Sequence, residues 1–513
     1  MFLKTILHRR HRYHRSRGFA QGCLQNNSHD AAMNPIQCRA SKLQPHAHFV
    51  SGCSQGATHE RGLHILAERV PVMKLNSVLL RSTIVAALGG LLFGFDTVVI
   101  SGTTQALTAL FHLSPWALGV TVSSALVGTI IGSMLAGIPG DAYGRRDSLR
   151  ILAVLYFISA IGCGFAWNWT ALVIFRVIGG LAIGGSSVLG PMYIAEIAPA
   201  KYRGRLVGLF QFNVVFGILL AYLSNYVIGT LNLGVVEWRW KLGIAALPAA
   251  FFLMMLFGIP RSPRWLAKKG HIDEAREVLR ITGEENYEQE LQDIVASIDA
   301  EHHAGDSLFN GKYGFPIFLA VSIAMFNQLS GINAILYYLN QIFAQAGFNK
   351  VSSDLQAVAI GATNLIFTMI AMTLIDRIGR KKLLLTGAVG TTLCLAGVAY
   401  VFLSRSHENI LVALLVCYIA FFAFSQGAVI WVYIGEVFPN RVRASGQSLG
   451  SFTHWVMAGI ISLGFPTVAA KSGGYPFVFF SLMMAVQFFA VLLWYPETKG
   501  ITLEDMQKKL GIA

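Results

Sequence analysis

A chain of 513 residues that is 54% hydrophobic and only 13% charged, with a mean hydropathy of +0.56, falls outside the ordinary soluble class, in which about a quarter of residues are charged. Its net charge of +14 does not indicate a nucleic-acid partner, because the basic residues stand in short loops between apolar blocks and in the N-terminal tail, not on one recognition face. The solvent that fits is a lipid bilayer. A helix crosses it in roughly 20 apolar residues, and an open strand there would leave backbone groups unpaired.

Residues 1–75 form an N-terminal extension unlike the rest. Its first 72 residues hold eight of the fourteen histidines and the basic run HRRHRYHRSR, with no sustained period. An over-extended start with translation from Met73 is the preferred reading. A disordered tail and an Arg-rich, acid-poor leader are the alternatives. Apolar blocks then predict spans at 80–103, 116–138, 149–167, 170–192, 206–228 and 240–259, which make a first half over 76–261. A polar segment, 262–312, contains GHIDEAREVLRITG and YEQELQDIVASIDAEHH, whose apolar spacing of three and four predicts short amphipathic helices outside the membrane. Spans at 313–343, 354–376, 382–403, 408–434, 446–470 and 475–495 make a second half over 313–498, and 499–513 is a short tail.

Of the six cysteines, Cys23, Cys38 and Cys53 lie in the extension, and Cys163, Cys394 and Cys417 lie in apolar blocks as small hydrophobes. No CxxC pair occurs, so neither a metal nor a redox cofactor is expected. HExxH and GxxxxGK[ST] are likewise missing from the sequence, which argues against an enzyme.

Loop charge sets the expected orientation. Arg145, Arg146 and Arg150 follow span two, Lys201, Arg203 and Arg205 follow span four, and Arg377, Arg380, Lys381 and Lys382 follow span eight, while Arg441 and Arg443 follow span ten. The opposite loop TTQALTALFHLSPW carries no Lys or Arg. Both termini and the polar segment are therefore expected on the cytoplasmic side.

An internal repeat carries the architecture. GDAYGRR after span two matches IDRIGRK after span eight; AEIAPAKYRG after span four matches GEVFPNRVRA after span ten; PRSPRW closes the first half as PETKG closes the second. Three pairs in the same order imply two pseudo-symmetric six-helix halves, the all-α major facilitator fold, with a substrate site between them near mid-membrane. The motifs place acids and bases at helix ends. Asp141, Arg145, Arg146, Glu196 and Arg203 in one half, and Asp376, Arg380, Glu436 and Arg443 in the other, are expected to form ion networks that hold a cytoplasmic gate shut. Such pairs are weak in water, which suits contacts that break in every cycle.

The chain resembles the sugar porters, a family that includes proton-coupled sugar symporters and passive glucose carriers. The likeness covers about 76–510 and rests on GGLLFGFDTVVISG, RVIGGLAIGG, NQLSGINAILYY, WVYIGEVFPNRVR and PETKG. It departs where the family has PESPR and this chain has PRSPR, with Arg261 in the acid's place. The resemblance implies a proton-coupled importer of a hexose or pentose, working by alternating access as a monomer in the cell membrane.

Asp96 lies within an apolar span, where a charge costs roughly 2.5–3.5 kcal/mol. Removal from water favours a carboxyl's neutral form, so Asp96 can load a proton on one side and release it on the other. Arg176, inside span four, is its natural partner; the structural alternative is a static buried ion pair. Sugar hydroxyls both donate and accept, as amides do, and an aromatic face covers the apolar face of the ring. The positions that match the family's site are Phe93, Gln211, Asn327, Gln328, Asn333, Tyr337, Asn364, Trp431 and His454. Gln328 and Asn333 do not share one line of an ideal helix, so a break near Gly331 is expected. Asn327 and His454 stand where relatives carry other amides, which leaves the sugar open. The competing functions are a passive sugar uniporter, a non-transporting sugar sensor and a drug or organic-anion carrier.

Overall fold

The computed structural model describes residues 76–301, 307–439, 441–501 and 503–512. The N-terminal extension, and the readings attached to it, lie outside those residues. All regular structure among the described residues is helical. Twelve helical stretches are long and apolar enough to cross a bilayer: Ser77–Phe111, Pro115–Ala142, Arg145–Gly164, Trp169–Ile197, Arg203–Thr230, Gly234–Gly258, Gly314–Tyr337, Lys350–Ile378, Arg380–Ser404, Glu408–Val437, Arg443–Lys471 and Tyr475–Trp494. These are spans one to twelve. Each overlaps its sequence-predicted block; span seven stops short of the expected 343 because its helix breaks after Leu329.

Local chemistry sets several of these ends. The Asn76 side chain accepts from the Val78 N–H at 2.9 Å, Ser114 caps a helix with Pro115 in its first turn, and Asn349 accepts from the Ser352 N–H at 2.9 Å. Asn168, the first residue of a glycosylation sequon, is occupied in the same way by the Ala171 N–H at 2.7 Å.

Spans one to six pack mainly among themselves, as do seven to twelve. The two halves meet where span two lies on span eleven and span five on span eight. Within the first half, the glycine-rich RVIGGLAIGG stretch lets spans two and four approach closely: a Cβ added at Gly180 would stand 2.0 Å from the Ala125 carbonyl oxygen. These glycines are thus packing surfaces and not a phosphate loop. On the outside, Leu482, Val486, Phe489 and Leu493 form an exposed apolar row at helical spacing on span twelve, a surface that suits lipid and not water.

The polar segment folds into helices Pro263–Lys268, Ile272–Ile281 and Tyr287–Glu301. Their apolar faces enclose a small core of Trp265, Leu266, Ala275, Val278, Leu279, Leu291 and Ile294, so the spacing of three and four reads as amphipathic helix. It sits against the first half through Trp265 Nε1, which donates to the Asp141 carbonyl at 3.1 Å, and through Asn76 Nδ2, which donates to the Ile281 carbonyl at 2.7 Å.

Candidate functional site: a central cavity between the two halves

Span seven is broken where the site needs it. Its first helix ends at Leu329, Gly331 adopts φ +82°, and a short helix Ile332–Tyr337 follows, then another, Leu339–Gln345. Gly331 is required on two counts. Its backbone lies in the left-handed region, and an added Cβ would come within 2.3 Å of the Phe480 ring. The break turns Tyr337 into a small cavity that Phe93, Asp96, Thr97, Arg176 and Trp455 also line.

Asp96 therefore faces this cavity, not lipid. Its Oδ1 lies 3.9 Å from Arg176 Nη1, a separation that allows attraction without a direct hydrogen bond. Arg176 is only 4% exposed, and its Nε has no hydrogen-bond partner. The guanidinium is thus held by packing and by one carboxylate at long range, an arrangement that a change in the charge of Asp96 can alter. Phe93 meets Trp455 edge-on, with centroids 5.4 Å apart, closing one wall with aromatic surface.

Beside that wall lies a cluster of amides and rings. Gln328 Nε2 donates to Asn327 Oδ1 at 3.0 Å and lies 3.2 Å from His454 Nε2, while Gln328 Oε1 is buried without a partner. His454 packs against Trp431, with centroids 5.1 Å apart, and against Trp455 at 4.9 Å. Trp455 thus joins the amide cluster to the cavity. It was absent from the sequence-based site; its signal was its place beside His454 in FTHW. Gln211, Asn333 and Asn364 lie outside the lining of the cavity. Gln211 and Asn333 are half-buried and Asn364 is buried.

The helix-end charges pair differently from expectation, and the reason is competition for oxygens. Arg145 bridges Asp141 at 3.0 Å and Glu196 at 3.0 Å, and Ser262 donates to the second Glu196 oxygen at 2.5 Å. With both Glu196 oxygens taken, Arg203 turns to Glu290 of the polar segment, at 3.6 Å. Arg146 binds its neighbour Asp147 at 3.0 Å and the Ile259 carbonyl. The second half repeats the pattern. Arg380 bridges Asp376 at 2.9 Å and Glu436 at 2.8 Å, and Thr498 donates to Glu436 at 2.6 Å. Arg443 is left with the Phe438 carbonyl at 3.5 Å, and its Nη2 is unpartnered. Each network closes within its own half.

The substituted position now has an account. In PETKG, Glu497 receives the backbone N–H groups of Arg380 at 2.9 Å and Lys381 at 3.1 Å, which places a carboxylate at a helix N-terminus. Arg261 occupies the corresponding place in the first half. It points instead at Asp147, at 3.1 Å, an acid that Arg150 also holds at 2.7 Å.

Residues 82–510 match the family described as sugar (and other) transporter. The D-xylose-proton symporter of Escherichia coli K12 is 37% identical over 474 residues, covering 84% of this chain and 96% of that protein. The arabinose-proton symporter of Bacillus subtilis is 36% identical over 454 residues, covering 86% and 98%. A solved structure of the E. coli xylose transporter XylE, described as partially occluded and inward open, superposes with a TM-score of 0.75 at 35% identity, over 83% of this chain and 100% of that one. A second XylE structure, bound to 6-bromo-6-deoxy-D-glucose, gives 0.71 at 35% identity over 85% and 99%. Twelve spans in two halves, a helix broken over a central cavity and this extent of similarity together establish that the chain belongs to the sugar (and other) transporter family.

Proposed function

We propose that the chain is a proton-coupled monosaccharide symporter, moving one sugar with a proton by alternating access as a monomer in the cell membrane, with both termini cytoplasmic. One observation carries the reading: Asp96, the one carboxylate among the described residues lining the central cavity, lies 3.9 Å from a buried arginine. A neutral Asp96 releases Arg176 and an ionised one attracts it, so proton loading alters the packing of span one against span four. The named activities of the relatives, xylose–proton and arabinose–proton symport, support the same assignment. The positive-inside distribution of Arg145, Arg146, Arg380 and Lys381 supports the orientation.

In this reading the sugar lies against Phe93, Tyr337, Trp431 and Trp455. Gln328 offers an unpartnered carbonyl oxygen to a hydroxyl, since a buried acceptor left unpaired is costly and a ligand donor relieves that cost. Asn327 and His454 orient Gln328, while Gln211, Asn333 and Asn364 join the site when the halves rearrange. Arg145–Glu196 and Arg380–Glu436 keep each half rigid at its cytoplasmic end. Uptake of labelled xylose, arabinose, glucose and galactose into proteoliposomes, with and without an inward proton gradient, tests the assignment. Symport requires gradient-driven accumulation and alkalinisation of the medium on adding sugar. Equilibration without alkalinisation would make the protein a uniporter.

A further inference from the structure

The hydrogen bonds and ion pairs that join the two halves among the described residues gather on the face opposite the polar segment. At their centre are four charges. Span six carries Glu237 and Lys241, four residues apart and hence on one face of the helix. Span eight carries Lys350 and Asp354 at the same spacing but in reversed order. The acid of each helix therefore meets the base of the other: Lys241 Nζ lies 2.9 Å from Asp354 Oδ2, and Lys350 Nζ lies 2.5 Å from Glu237 Oε2. Lys241 also holds Glu237 at 3.0 Å, so the four alternate in sign along one chain of contacts. Lys241 is 0% exposed, Asp354 1% and Glu237 4%.

This cluster reaches the cavity through span seven. Asn340 donates to Asp354 Oδ1, accepts from Ser101 Oγ at 2.7 Å, and lies three residues beyond the cavity-lining Tyr337. Lys241 Nζ donates to the Gly102 carbonyl at 3.2 Å, on the same span as Asp96. We propose that Glu237, Lys241, Lys350 and Asp354 form a charge latch that holds this face of the transporter shut, and that its opening is a step of the cycle. The inference rests on the alternating-access reading above.

Charge suits this position for a physical reason. An apolar seal exposes oily surface when it opens, whereas a buried ion pair regains its hydration. Buried pairs are thus modest net stabilisers compared with packed apolar residues, yet removal of one partner alone is strongly destabilising because the other charge is stranded. The reversed order adds register: sliding one helix by a turn against the other would place like charges together. Closure in one alignment and easy release into water are what a repeatedly opened gate requires.

The test needs no substrate. Spin labels at Trp116→Cys on span two and Val351→Cys on span eight, both exposed positions, in the full chain with its six native cysteines replaced by serine, report the separation of the halves on this face by pulsed electron resonance. Lys241→Met and Asp354→Asn should each raise the open population at least about tenfold. The double variant Lys241→Met/Asp354→Leu should return it towards the unmodified protein, since no charge is then stranded. Lys350→Gln alters a half-exposed side chain, tests the Lys350–Glu237 contact of the same latch without a buried change, and should open the face less. Unchanged distances in the single variants, or a double variant as open as the singles, would overturn the latch. Latch-dependent opening in a protein that moves no sugar would instead overturn the transport assignment and leave the latch standing.

Discussion

Asp96→Asn isolates the coupling step, because asparagine keeps the shape of a protonated aspartate and cannot release a proton. At the observed 3.9 Å, two unit charges attract by about 4 kcal/mol at an effective dielectric of 20. Protonation removes that attraction, and the asparagine variant lacks it permanently. Asp96 is also the one acid among the described residues lining the cavity, and the proposed mechanism assigns it one proton per sugar. Each pH unit across the membrane is worth about 1.4 kcal/mol per proton. A gradient of about two units should then drive roughly hundredfold accumulation in the unmodified protein. In Asp96→Asn, net accumulation should fall to equilibrium while sugar counterflow, which needs no proton cycle, continues. Proteoliposomes assayed in both modes separate the two. Gradient-driven accumulation persisting in Asp96→Asn would refute the coupling argument, and a hundredfold rise per pH unit in the unmodified protein would require a second carrier of the proton.

Three further outcomes follow from the geometry. Gly331→Ala forces a side chain into a left-handed backbone and against the Phe480 ring, and should cost about 1–3 kcal/mol; thermal unfolding in detergent measures this, and an unchanged melting curve would mean that the break tolerates a Cβ. Glu196→Gln and Glu436→Gln each weaken the corresponding arginine bridge, and the repeat predicts comparable losses of thermal stability; a loss in one half only would show the networks to be inequivalent. Burial by itself would raise the Glu497 pKa, but N–H groups of Lys499, Arg380, Lys381 and Thr498 overcome that and hold it below the ordinary glutamate value of 4.5. Its contribution to stability should therefore be full above the ordinary value and disappear as pH falls through the lower folded value, so melting temperatures of wild type and Glu497→Gln should converge in acid; a constant gap would exclude this carboxylate as the cause.

The architecture was legible because lipid imposes a coarse rule. Apolar length fixes the spans, and three motif pairs in one order fix the two halves, with no need to know any side-chain contact. A break near Gly331 was expected so that Gln328 and Asn333 could meet; the break is present, but Asn333 lies outside the lining of the cavity. Pairing partners were less accessible. Glu196 and Arg203 stand seven residues apart in sequence, yet Ser262 and Arg145 reach the carboxylate first, and no linear spacing reports that competition. Trp455 escaped because a tryptophan in an apolar span reads as packing until Phe93 is seen against it. Lys241 and Asp354 escaped because each sits beside a loop, where a charge normally means a helix end in water; only the approach of span six to span eight makes the pair a buried one.

The position of the charges suggests how proton and gate communicate. Asp96 and Arg176 belong to the same half, so protonation does not by itself break a bond between halves. Span one, however, runs from Asp96 through a tightened turn at Ile100–Thr103 to Ser101 and Gly102, which touch Asn340 and Lys241. A shift of span one when Arg176 is released would reach the latch within two turns of helix, without passing through the sugar. The sugar reaches the same latch by a second route, from Tyr337 to Asn340 along the short helices of span seven. Two inputs that converge on one interfacial cluster can favour the same state jointly while neither suffices alone, which is the thermodynamic requirement for coupling and not leak. Asn340→Ala, which cuts the contact common to both routes while keeping the Lys241–Asp354 pair, should therefore leave counterflow active and reduce the accumulation ratio; an undiminished ratio would mean that the two inputs meet elsewhere.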